Sequence, residues 1–175
     1  MKVSASVRRI GAPVILVAAL FLAGCGATSA SSAAVVGGTT TITEEDVRVG
    51  TEQFNASGQL EQPVTPSVIL GVLIQAPTVL ETLAAKGVSA SEPLARDALR
   101  KAGISDPAPA TVTLLRFIEA VNKANTPGTL SEADIAELNT KVAGLKVVVN
   151  PRYGSYDGAQ GQVLAQVPSW IVAPK

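Results

Sequence analysis

Residues 65–87 read TPSVILGVLIQAPTVLETLAAKG, and the fold turns on that stretch. Thr65 before Pro66 is a helix-start signal, because proline at the first helical position gives up an N–H that has no partner there anyway. Residues 68–74 are apolar almost all round, which marks a central helix. Ile69, Leu73, Ala76, Leu80 and Leu83 recur at helical spacing. Pro77 falls inside this run and predicts a kink, or a break into two helices, since it removes one hydrogen bond and clashes with the preceding turn. Gly87, after Lys86, closes the segment.

On the C-terminal side, Ser91 opens a helix with Glu92 and Pro93 in its first turn. Leu94, Ala95, Ala98, Leu99 and Ala102 form its apolar stripe, and Gly103 ends it. Residues 105–110 (SDPAPA) read as a turn. A helix is expected over 111–124, with Leu114, Phe117, Ile118 and Val121 on one face. After a tight break at 125–129 (NTPGT), Ser131 and Asp134 have the spacing of a capping box. They open a helix to about Val142, with Ile135, Leu138 and Val142 turned inward, and Gly144 stops it. Residues 145–149 (LKVVV) are a β-branched strand, ended by Asn150-Pro151 because proline cannot donate to a ladder.

On the N-terminal side, 56–63 is a polar loop. Before it, Thr43 caps a helix that carries Glu44, Glu45 and Asp46 in its first turn and runs to about Asn55. Residues 35–42 (VVGGTTTI) read as one short edge strand. An isolated strand is not stable in water, so it should pair with 145–149. The expected fold is mainly α with a small terminal β-sheet (α+β), over residues 35–157. Residues 158–175 follow as a tail, with Trp170 as its anchor.

The front of the chain has a different character. Lys2, Arg8 and Arg9 form a positive region, and residues 10–22 are apolar apart from Gly11 and Pro13. That span is short for a bilayer about 30 Å thick and suits the hydrophobic part of a signal peptide. Leu22-Ala23-Gly24-Cys25 follows. It resembles the lipobox of bacterial lipoproteins. The resemblance implies cleavage between Gly24 and Cys25, so that residues 1–24 are the signal peptide, and it implies a diacylglyceryl thioether on Cys25. The partner would then be the lipid bilayer, on the extracytoplasmic face of the cell membrane. Two or more acyl chains anchor stably, at about 0.8 kcal/mol per buried methylene. Residues 25–34 are small and polar and read as a flexible lipidated tether.

Composition excludes several chemistries. The sequence has no histidine and one cysteine. This removes imidazole acid–base catalysis, Ser–His–Asp and Cys–His nucleophiles, internal disulfides and thiolate metal clusters. Loss of Lys2, Arg8 and Arg9 leaves a weakly acidic chain without a basic run, which excludes a nucleic-acid partner. No cofactor, metal or enzymatic activity is expected. The acids at helix starts are explained by capping and the helix dipole.

Three stretches together resemble the N-terminal domain of SurA-type and PrsA-type exported chaperones, in the short actinobacterial lipoprotein form. They are the strand running into Thr43-Glu44-Glu45-Asp46-Val47, residues 72–103 (VLIQAPTVLETLAAKGVSASEPLARDALRKAG), and residues 145–157 (LKVVVNPRYGSYD). The resemblance implies a helical domain that binds unfolded polypeptide clients. Many members carry a parvulin prolyl-isomerase domain before the last helix. Here only residues 125–130 stand at that place, so isomerase activity is not implied.

The expected client-binding residues are Leu73, Leu80, Leu114, Phe117 and Ile118 on the apolar helices, Ile69 also being considered, together with Arg152 and Tyr153. The competing expectations are that the helical stripes are core, that Arg152 pairs with an acid or with helix-end carbonyls, and that Tyr153 and Tyr156 pack over the last helix. The mature chain lacks methionine, which promiscuous binding surfaces often use. The alternative to a chaperone-like module is therefore an envelope lipoprotein that docks one specific partner.

Overall fold

The computed structural model describes residues 32–165. The expected signal peptide (residues 1–24), the expected lipidation site Cys25 and the expected anchor Trp170 lie outside the described residues. Within them the chain is mainly α with a small antiparallel β part.

The first strand departs from expectation at both ends. Residues 35–42 form parts of two strands, β1 (Ser32–Val36) and β2 (Thr40–Thr43), paired antiparallel. Gly37 (φ +62°) and Gly38 (φ +76°) make the turn between them, in the left-handed region that glycine enters without a Cβ penalty. Residues 32–34, expected in the tether, belong to β1. A bulge between Ser32 and Ala34 accompanies the burial of both Ala33 and Ala34. β1 is also central, not an edge: the order is β2-β1-β3, where β3 is Val147–Val149. The pairing of the two terminal segments is as expected, with Ala34 opposite Val149, Val35 opposite Val148 and Val36 opposite Val147.

Five helices occur among the described residues: α1 (Glu44–Ala56), α2 (Pro66–Ala85), α3 (Glu92–Lys101), α4 (Pro109–Ala124) and α5 (Glu132–Ala143). α1 and α5 begin at complete capping boxes, Thr43 with Asp46 and Ser131 with Asp134. α2 runs through Pro77 without a break. Pro77 is exposed, while Leu73, Ile74, Ala76 and Val79 around it are buried, so packing of both halves offsets the roughly 3 kcal/mol that an interior proline costs. By length and composition α2 could cross a bilayer, with a mean hydropathy of 1.8, yet half of that window is buried inside the fold.

The core is built around α2. Ile69, Leu70, Leu73 and Ile74 join Ala33, Ala34, Ile42, Val47, Phe54 and Leu114 in one cluster. Each fully buried aliphatic side chain contributes about 1.5–3 kcal/mol. Gly50 lets α1 approach closely: a Cβ there would stand 3.5 Å from both Ile69 and Leu114. A second cluster joins Val79 and Leu83 to Ala120 and Val142, and a third joins Ala95 and Leu99 to Val112 and Leu115.

The region expected as a tail from residue 158 includes part of a hairpin, β4 (Ser155–Asp157) with β5 (Gln162–Leu164). Asp157 Oδ1 accepts from the N–H groups of Ala159 and Gln160 and shapes its turn. The hairpin is docked on α2, where Gln75 Nε2 donates to the Gly161 carbonyl at 3.0 Å and Val163 is buried.

Candidate functional site

Three adjoining clefts run along α2, the second and third of them between it and the β4–β5 hairpin. The first, about 540 Å³, lies between the start of α1, the start of α2 and the Arg152–Tyr153 turn, and is lined by Glu44, Glu45, Val47, Arg48, Pro66 and Ser67 as well. The second, about 310 Å³, continues from Ser67 past Val68, Gly71, Val72 and Gln75, with residues 160–163 as its other wall. The third, about 260 Å³, shares Gln75, Gln160 and Gly161 with the second and ends among Val79, Phe117, Val121, Leu138 and Val142. The three follow α2 along much of its length. Gly71 sets the spacing: a Cβ there would meet the Gly161 carbonyl and the Val163 N–H at 3.5 Å.

The first cleft is charged at its mouth and apolar within. Arg152 is held by Glu44, Nη1 to Oε2 at 3.0 Å, and lies over the Tyr153 ring at 5.8 Å from its centroid. Asn150 joins the same knot: its Nδ2 donates to the Ser32 carbonyl at 3.1 Å, and its backbone N–H donates to Ala33. Arg48 bridges Glu45 and Glu52, which holds the Glu45 carboxyl below its ordinary value. Burial raises the Tyr153 hydroxyl, the Glu44 charge adds to this and Arg152 opposes it. Burial also raises Tyr156, whose hydroxyl oxygen is buried with no hydrogen-bond partner among the described residues.

The expected client-binding residues fall into three groups. Leu73 and Leu114 are core, 8% and 1% exposed, as is Ile69, so they offer no surface to a partner. The same helical spacing that suggested a groove is the spacing that buries them. Leu80 and Ile118 are half-buried against the core clusters and line none of the three clefts. Phe117 lines the third cleft, and Arg152 and Tyr153 line the first. Arg152 pairs with an acid, one of the expectations. The tyrosines, however, pack on the α1–α2 cluster and not on α5.

Sequence reasoning missed Val68, Val72, Gln75 and the β4–β5 hairpin. The available signal was Asp157-Gly158 and Gly161 between Tyr156 and Val163, a turn flanked by strand-forming residues. No group of three or more His, Cys, Asp and Glu that could hold a metal occurs among the described residues.

No family model, curated protein or solved structure matches the chain. Fold and site therefore define only a class: a mainly α domain with a small antiparallel sheet and an open groove, apolar along α2, between its central helix and a hairpin.

Proposed function

We propose that this chain is an exported lipoprotein, lipid-anchored through Cys25, whose helical domain holds extended segments of exported polypeptides without catalysing a reaction on them. The carrying observation is the groove along α2. Its second and third clefts are walled by Val68, Val72, Val79, Phe117, Val121 and Leu138, with Gln75 and backbone of residues 160–162 within reach of a peptide's amides. Apolar walls with a few polar groups suit an extended segment of mixed sequence. Residues 22–25 supply the anchoring half of the proposal, and the likeness to SurA-type and PrsA-type N-terminal domains supports the client-holding half.

The test is suppression of aggregation of a reduced, unfolded substrate by the purified full chain at near-stoichiometric ratio. Val68 is 52% exposed in the first turn of α2, so Val68→Glu should fold normally while placing charge on the groove wall. Suppression should weaken in that variant. Absence of suppression by the native chain, with no peptide binding by calorimetry, overturns the proposal.

Docking of one dedicated partner is favoured by a different observation, the 73% exposure of Val148 on edge strand β3. Crosslinking in cells separates the two. One dominant adduct at position 148 supports the dedicated partner, and a broad distribution at position 68 supports clients.

A further inference from the structure

The two faces of the three-stranded sheet have different surroundings. α1 and α2 cover one, where Ala34 and Ile42 are buried. Val35, paired with Thr41 on one side and Val148 on the other, alternates onto the opposite face. Thr41 is exposed there and Val35 is half-buried. Val148, at 73%, is the most exposed large hydrophobic side chain among the described residues. Lys146 extends the β1–β3 ladder by accepting from the Gly37 N–H at 2.8 Å, so its exposed side chain is on the same face as Val148. None of β1, β2 and β3 carries an acid.

We infer that this face rests on the surface of an anionic bilayer, with Val148 entering the headgroup layer and Lys146 against lipid phosphate. The inference rests on the anchoring half of the proposed function, because the connection to Cys25 is what brings the face to the bilayer. Ser32 is seven residues from Cys25 and opens β1, and Val35 follows three residues later, about 10 Å along the strand. A short connection holds its end at an effective concentration on the order of millimolar, so a small face suffices. Charge decides between Val148 and the other exposed apolar side chains. Leu60 precedes Glu61, Leu94 has Asp97 one turn on, Ile135 is flanked by Glu132 and Glu137, and Leu164 shares a hairpin face with Asp157. Acids beside these residues disfavour a negatively charged surface, whereas Lys146 beside Val148 favours it. Val68 is already a wall of the groove.

The sequence has one cysteine, so with Cys25 lipidated an introduced cysteine is the only free thiol. The lipidated full chain is placed in vesicles of phosphatidylcholine and phosphatidylglycerol, with a nitrobenzoxadiazole label at Val148→Cys, at Thr41→Cys or, as the control, at Leu94→Cys. All three positions are exposed, so the variants should fold normally, and Thr41→Cys keeps Val148 in place. Labels at 148 and 41 should be blue-shifted and severalfold more quenched by nitroxide-bearing lipid than the label at 94. Lys146→Glu should reduce the quenching at 41 severalfold. Flotation of the unlabelled chain with the vesicles reports on the anchor by itself. A chain that floats while positions 148 and 41 stay in water overturns the inference and leaves the anchor standing, and a chain that does not float removes both. Equal lipid quenching at 94 and 148 also overturns it. So does protection at 148 without lipid quenching, which assigns the face to a protein partner or a second copy.

Discussion

Gly154 is where a single atom has the largest leverage on this fold. Its φ of +114° is a region that L side chains rarely adopt, and the space a methyl group would take is already filled by the Leu164 carbonyl. Gly154→Ala should therefore destabilise the domain by more than about 1 kcal/mol, with the steric term added to the backbone term. Urea unfolding followed by circular dichroism measures it, and an unchanged midpoint would contradict the close passage of β5. Gln53 has comparable reach by another means. Its Oε1 accepts from the Ala108 N–H at 2.9 Å and from Thr111 Oγ1 at 2.8 Å, and its Nε2 donates to the Asp106 carbonyl at 3.0 Å. Ala108 has no side chain with which to cap α4, so Gln53 does this from α1. Gln53→Ala leaves these groups unpaired and should cost about 1–2 kcal/mol. Gln53→Glu should keep the acceptor half and lose less. Equal loss in the two variants would mean that the amide donor, not the cap, matters.

α5 is the helix least committed to the core, with Val142 as its one buried residue. Lys86, at the end of α2, holds it through Asp134 at 2.6 Å and Glu137 at 3.0 Å. The hydrogen bond from Lys86 and those from Ser131 hold the Asp134 carboxyl far below its ordinary value of 3.8, and Lys141 and Lys86 lower Glu137 from 4.5. Both folded-state values are depressed, so this attachment is fully present at neutral pH. It weakens as pH falls below the ordinary carboxylate range and is lost as the depressed values are passed. Lys86, raised above 10.5 by the same partners, stays charged throughout that window. Hydrogen exchange should show α5 amides opening first as pH is lowered, while α2 and α4 remain protected. Lys86→Ala should produce the same selective opening at neutral pH. Simultaneous opening of α5 and α2 would show that α5 is part of the central cooperative unit. The pattern of success in reading the sequence follows the same division. The Ser131–Asp134 capping box and the Thr43 N-cap are legible because residues within one turn carry them, and α2 is legible because its apolar period is local. The start of α4 was placed two residues late because its cap comes from Gln53. The three-residue strands β4 and β5 were hidden because each is too short to establish a period. Most of the groove was illegible for a related reason: its walls come from α1, α2, α4, α5 and the hairpin, and only burial tells a stripe that lines it, such as Phe117, from one that is sealed, such as Leu73.

At the scale of the whole molecule, the distance from Cys25 to the first described strand matters most. Ser32 stands seven residues after Cys25 and opens the central strand of the sheet, with Ala33 and Ala34 at 0% and 1% exposure immediately behind it. If Cys25 carries lipid, β1 begins within about 25 Å of the anchor, the greatest length that seven residues can span. The proposed groove would then act on polypeptide at the membrane surface and not at a distance. Two consequences can be measured. A clickable fatty acid should label the native protein and not Cys25→Ser, and the variant should leave the membrane fraction; native protein that is unlabelled and released into the medium removes the anchor. Inserting ten Gly/Ser residues after residue 31 should preserve folding, because β1 keeps both of its neighbours, and should extend the radius at which clients are crosslinked from position 68. If the longer connection instead unfolds the domain, residues before Ser32 are part of the core. If crosslinking from position 68 is unchanged, the short reach from Cys25 has no role in client capture.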